Sequence, residues 1–139
     1  MKYNISILPE TLLDYTNHCI GQLQTFEVTC DDNELEEILA LNCIEFAPRN
    51  MFEGILQHWV TKMAHKAKLT LSFMDLYTVS RLCFLQVLNV NQVNEALHGN
   101  GKQSSFTVPQ LCQILERLGL KILSKKLDGI SATIEAERP

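Results

Sequence analysis

Apolar side chains recur at three- and four-residue steps along most of the chain, and the elements this spacing predicts are helices. From about Pro9 to Leu23 the repeat is carried by Leu12, Tyr15, Cys19 and Leu23, and a short stretch from Thr25 to Cys30 reads as extended. Asp31, Asp32 and Asn33 offer N-caps for a second helix. Glu34, Glu36 and Glu37 suit the positive end of its macrodipole, and Leu35, Ile38, Leu39 and Asn42 define one face. After Pro48 comes the cleanest amphipath: Met51, Phe52, Ile55, Leu56, Trp59, Val60 and Met63 form a stripe opposite Arg49, Glu53, Gln57, Thr61 and Lys62. That stripe must pack against something, so Trp59 is expected in a helix interface. Residues 72–88 carry only Asp75 and Arg81 as charges and read as a central helix buried on most sides. A short helix from Val90 to Leu97 follows, then a polar, glycine-containing loop over residues 98–105. From Thr107 the apolar face is Leu111, Ile114, Leu115 and Leu118. Gly119 interrupts it, and Ile122, Leu127, Ile130 and Ile134 continue a second helix towards the polar tail Glu135–Pro139.

Composition narrows the function classes. The 139 residues are 46% hydrophobic with a net charge of −4 and no dense basic stripe, which argues against nucleic acid and favours a cationic helix as partner. Five cysteines, odd in number and without CxxC spacing, point to a reduced, cytoplasmic compartment. The opening MKYNISILPE lacks a signal-peptide core, and no run approaches a membrane span. Adjacent His18-Cys19 and the well-separated His58 and His65 do not preorganise zinc, and no CxxC or HxxxH pair exists. There is no GxxxxGK[ST] loop and no local nucleophilic constellation. No catalytic residue, metal or cofactor is therefore expected, and the chain reads as a non-enzyme.

One string repeats. Leu71-Ser72-Phe73-Met74-Asp75-Leu76 returns 35 positions later as Phe106-Thr107-Val108-Pro109-Gln110-Leu111. Each copy has the form of a helix start, with Thr107 and Gln110 fitting a capping box. Together with Ile114, Leu115, Leu118-Gly119, Lys121, Leu127-Asp128 and Ile130, the second copy resembles the exiting helix of a third EF-hand and the entering helix of a fourth in calmodulin and myosin light chains. The first copy is similar to the helix leaving their second loop. The loops depart from calcium chemistry: Ala64, Lys66 and Lys68, or Gly99, Gly101 and Gln103, stand where oxygen ligands belong, so no calcium binding is expected.

The resemblance implies an all-α fold of about seven helices, with degenerate EF-hand pairs in two lobes, residues 1–88 and 89–139. It implies a light-chain-like, non-catalytic subunit that binds and stiffens a basic amphipathic helix such as an IQ segment of a myosin neck. The groove would use Phe52, Ile55, Leu56, Phe73, Leu76 and Val79 in the first lobe and Leu111, Leu115, Leu118, Ile122, Leu127 and Ile130 in the second. A compact all-α adaptor unrelated to EF-hands, burying the same stripes in one core, remains the alternative. A helical enzyme is the third reading.

Overall fold

Strict alternation of apolar and polar side chains runs through Ala67, Leu69, Leu71 and Phe73, all buried, with Lys66 and Lys68 exposed between and before them. That is the period of a strand. In the computed structural model, which describes residues 1–139 apart from the side chains of Gln22 and Leu23, these residues belong to the longest strand of a six-stranded sheet. The strands are Lys2–Ser6 (β1), Thr16–Cys19 (β2), Leu35–Leu41 (β3), Met63–Met74 (β4), Lys121–Asp128 (β5) and Ser131–Glu137 (β6), and their order is β2-β1-β3-β4-β6-β5. The first four are parallel, while β6 runs antiparallel between β4 and β5. The helices are Ile20–Leu23 (α1), Phe52–Lys62 (α2), Leu76–Phe84 (α3), Val90–His98 (α4) and Val108–Arg117 (α5).

The core is continuous from sheet to helices. Ile5, Ile38, Leu69, Leu71 and Ile134 from the strands share it with Leu56 and Trp59 of α2 and with Leu111 and Leu115 of α5. The α2 stripe agrees with its sequence pattern, and Trp59 is fully buried with its indole N–H donating to the Phe26 carbonyl at 2.9 Å. Phe106, ahead of α5, sits edge-on to Phe52 at 4.9 Å and to Phe73 at 6.2 Å.

The all-α, two-lobed EF-hand expectation is overturned by this mixed sheet, and each misreading has a local cause. Leu35 and Ile38 are both buried although three residues apart, because the pairing of β3 with β4 slips between Leu35 and Glu37. There β3 advances two residues while β4 advances five, and the buried pair Leu35 and Ile38 imitates helical spacing. Ala64, Lys66 and Lys68 lie in β4 rather than in a metal loop. Leu71 and Ser72 are strand residues, and the helix begins only after Asp75, whose carboxylate accepts the Thr78 N–H. Thr107 does cap α5, accepting the Gln110 N–H. Beyond α5, however, the chain enters a hairpin, not a second helix. Asp128 pairs with Ser131, leaving Gly129 (φ 61°) as the first residue of a two-residue turn. A positive φ there suits glycine, and Asp-Gly between alternating runs is a strong hairpin signal.

Candidate functional site

Four parallel strands place their carboxyl ends along one edge of the sheet. From β1 the chain moves to β2 on one side, whereas β3 leads to β4 on the other, so the order reverses between β1 and β3. Open α/β sheets bind ligands in the crevice outside such a switch point, because the diverging connections leave space there. A cavity of about 650 Å³ lies at this place. The segment after β1 contributes Leu8 and Glu10, the end of β3 contributes Asn42, and Phe46, Asn100 and Lys102 complete the wall. Its volume falls in the range of small-molecule sites.

The backbone around the cavity is held by specific bonds. Asn42 adopts φ 53°, which asparagine tolerates, and its N–H reaches the Ser72 carbonyl at 3.0 Å and the Ser72 hydroxyl at 2.9 Å. The ends of β3 and β4 are thus stitched together while the Asn42 residue stays exposed. After β1, the Ser6 hydroxyl donates to the Leu8 carbonyl at 2.8 Å, and the Cys19 thiol and Gly21 N–H donate to the Ile7 carbonyl at 3.3 and 3.1 Å. A Cβ on Gly21 would lie 2.3 Å from that oxygen, so only glycine permits the approach. The turn Ile7-Leu8-Pro9-Glu10 contains no glycine. It lacks the fingerprint by which dinucleotide sites bring backbone N–H groups against a pyrophosphate.

Lys102 is held on the opposite wall. Its ammonium donates to the Ala96 carbonyl at 3.0 Å and lies 3.6 Å from Glu45 Oε2. The Glu45 carbonyl accepts the N–H groups of Gln103 and Ser104, at 2.8 and 2.9 Å, and the Ser104 hydroxyl donates to the Ala47 carbonyl at 2.6 Å. Residues 99–104 are thereby clamped on the 3₁₀ turn Ile44–Phe46. Glu45 is buried, and its Oε1 is the one buried side-chain polar atom without a partner among the described residues.

Burial pushes the Glu45 carboxyl above its ordinary value of 4.5, against the opposing pull of Lys102 and the Met74 N–H. With the native value raised, the folded protein keeps this proton to higher pH than the unfolded chain. The contribution of Glu45 is complete below pH about 4.5 and is lost as pH rises through the raised value. The expected result is that the stability advantage of the parent over Glu45→Gln shrinks from pH 4 towards pH 7, as denaturant unfolding across that range would measure. A difference independent of pH would contradict it.

Asp75, at the end of β4, lies outside the cavity and ties two helices to the sheet. Its Oδ2 accepts the Thr78 N–H and hydroxyl at 3.0 and 2.6 Å, and its Oδ1 accepts the Val108 N–H at 3.1 Å. One carboxylate thus joins the N-termini of α3 and α5.

The residues named from sequence as a partner groove are distributed differently. Ile55, Leu56, Phe73, Val79, Leu111 and Leu115 are buried; Phe52, Leu76, Leu118, Ile122 and Ile130 are half-buried; Leu127 is exposed on β5. None lines the switch-point cavity. Sequence reasoning missed Glu10 and Lys102 as site residues and placed Asn42 on a helix face. The signal available was the alternation of β4, which marks a strand where a metal loop was expected.

No family model matches the sequence, and no curated protein is similar to it in sequence. Solved structures are similar in fold. One is the SAM-dependent methyltransferase of Thermotoga maritima, with a TM-score of 0.61 and 10% identity over 90% of this chain and 64% of that one. A second is the 1,6-didemethyltoxoflavin-N1-methyltransferase of Burkholderia thailandensis, whose structure holds S-adenosylhomocysteine; the TM-score is 0.56 with 10% identity over 79% and 46%. Magnesium protoporphyrin IX methyltransferase of Synechocystis gives 0.54 with 15% identity over 90% and 51%. The chain spans 46 to 64% of the length of these three proteins. The likeness is one of fold, an open α/β sheet of the Rossmann-like kind.

The mixed sheet removes the light-chain and all-α adaptor readings, and the non-enzyme reading, drawn from the lack of local catalytic motifs, is countered by neighbours of this fold that are methyltransferases. No helix is long and apolar enough to cross a membrane.

Proposed function

We propose that this chain is the Rossmann-like part of an S-adenosylmethionine-dependent methyltransferase, with the adenosyl cofactor held at the β1/β3 switch point. The observation that carries the reading is the place of that cavity, at the carboxyl edge between β1 and β3, with one acid, two amides and one ammonium in an otherwise apolar wall. The group has the matching parts, an amino-acid carboxylate and ammonium, a ribose diol and an adenine, and no phosphate. Lys102 would hold the carboxylate by a charge-assisted hydrogen bond. Glu10 would accept from the ribose hydroxyls or the ammonium, Asn42 would hydrogen-bond the base or sugar, and Leu8 and Phe46 would shield it from water. When bound, the cofactor supplies a methyl group on a positively charged sulfur.

One departure shapes the expectation. The end of β2 carries Cys19, whose thiol is engaged with the Ile7 carbonyl, where dinucleotide-binding sheets place an acid for the ribose. Glu10 is the acid lining the cavity instead. Side chains therefore carry the contacts that a glycine turn and a β2 acid carry elsewhere.

The test is thermal unfolding and calorimetry with S-adenosylhomocysteine. Ligand at about 100 times its Kd should stabilise the fold by about 2.7 kcal/mol and raise Tm by several degrees. Lys102→Ala and Glu10→Gln should each weaken binding by about tenfold, worth about 1.4 kcal/mol. No heat and no shift at millimolar ligand would contradict the proposal.

A further inference from the structure

In a chain of net charge −4, the outer face of α3 is both apolar and cationic. Tyr77, Arg81, Phe84 and Leu85 follow at i, i+4, i+7 and i+8, and all are exposed, Tyr77 by 67% and Phe84 by 85%. Such spacing puts them on one side of the helix. Only Val79 of α3 is buried. Beside this face, β5 presents Lys125, Lys126 and Leu127, all exposed. Tyr77, Arg81 and Leu82 of α3, Val108 and Pro109 at the start of α5, and Lys125, Lys126 and Leu127 of β5 line a groove of about 650 Å³, which shares no residue with the switch-point cavity, and exposed Phe84 and Leu85 extend the apolar face beyond it.

The charges in the groove are uncompensated. Arg81, Lys125 and Lys126 form no salt bridge among the described residues. The groove's one acid, Asp75, is buried and engaged by Thr78 and Val108. Three cations thus rim an apolar floor on an otherwise acidic protein.

We infer that this groove docks an acidic amphipathic helix of a partner protein. Leucine-like side chains of that helix would lie along Tyr77, Phe84 and Leu127, and its carboxylates would meet Arg81, Lys125 and Lys126. Two turns of exposed α3 face supply the length over which a helix can be read by anchors at helical spacing. The sign of the partner follows from charge complementarity, which also sets the rate of encounter. It is the reverse of the basic helix that the overall charge suggests. A second copy of this chain fits poorly, because its own acidic run, Asp31 to Glu37, has its leucine, Leu35, fully buried and offers no apolar face.

The experiment uses the full chain and a fluorescent synthetic peptide of about 20 residues with leucines at helical spacing and glutamates elsewhere, read by anisotropy. The same peptide with lysine for glutamate is the control. The glutamate peptide should bind and the lysine peptide should not, and added salt should weaken the complex. Lys125→Glu/Lys126→Glu, Arg81→Glu and Phe84→Ser should each weaken binding by about tenfold or more, with Tm unchanged because the replaced side chains are exposed. Equal binding of both peptides, or variants that bind like the parent, would overturn the inference. So would failure of the glutamate peptide alongside binding to phosphatidylserine vesicles or to nucleic acid, or a self-association abolished by Phe84→Ser.

Discussion

Replacing Trp59 with alanine is expected to lower stability by about 3–5 kcal/mol, enough to remove much of the margin of a domain this size. The indole is fully buried between sheet and helix, and its N–H holds the Phe26 carbonyl at 2.9 Å. Next to it on α2, His58 Nε2 accepts the buried Val28 N–H at 3.1 Å, so one turn of helix pins the extended segment from Phe26 to Val28 at two points. Truncation would therefore leave a cavity and an unsatisfied carbonyl together. Native emission should be that of an apolar environment and should shift towards the water-like maximum only on unfolding. A Trp59→Ala variant with the parent's denaturation midpoint would contradict the packing described.

Asp75→Ala should cost about 2–4 kcal/mol. The carboxylate is 5% exposed and accepts three hydrogen bonds, two of them from first-turn N–H groups of different helices. Each lost cap is worth about 1 kcal/mol, and a donor left buried without a partner costs more. Asp75→Asn keeps an acceptor oxygen and should lose less. Urea unfolding of the three proteins with an unchanged slope would report this as stability alone. Equal midpoints for Asp75→Ala and the parent would show that the joint between α3 and α5 does not depend on this side chain.

The same joint explains what was legible in the sequence. The repeat at residues 71–76 and 106–111 marks two helix starts that touch in space. Asp75 and Phe106 form an isolated parallel bridge, and the Leu76 N–H donates to the Phe106 carbonyl at 2.9 Å. Short-range chemistry was readable: Thr107 as a cap, the stripe of α2 and the buried Trp59. The sheet was not, for reasons that differ by strand. In β3 the irregular pairing with β4 leaves Leu35 and Ile38, three residues apart, both buried. In β6 the buried residues are Ala132, Ile134 and Ala136, two of them too small to register as apolar beside Glu135 and Glu137. In β5 the edge position leaves Lys125, Lys126 and Leu127 exposed whichever way they point, so burial imposes no alternation. Exposed lysines on such an edge also guard against pairing with other chains. The switch-point cavity was illegible because it is assembled from residues 6–10, 41–46 and 100–102, which only the order of strands brings together.

The central claim is that the crevice between β1 and β3 receives an adenosyl ligand, and two-dimensional amide NMR of the full chain titrated with S-adenosylhomocysteine tests it most directly. Saturable shifts should cluster on Leu8, Glu10, Asn42, Phe46 and Lys102 and leave the α3 face around Tyr77 and Phe84 unmoved. Shifts confined to the α3 and β5 groove, or none at millimolar ligand, would contradict it.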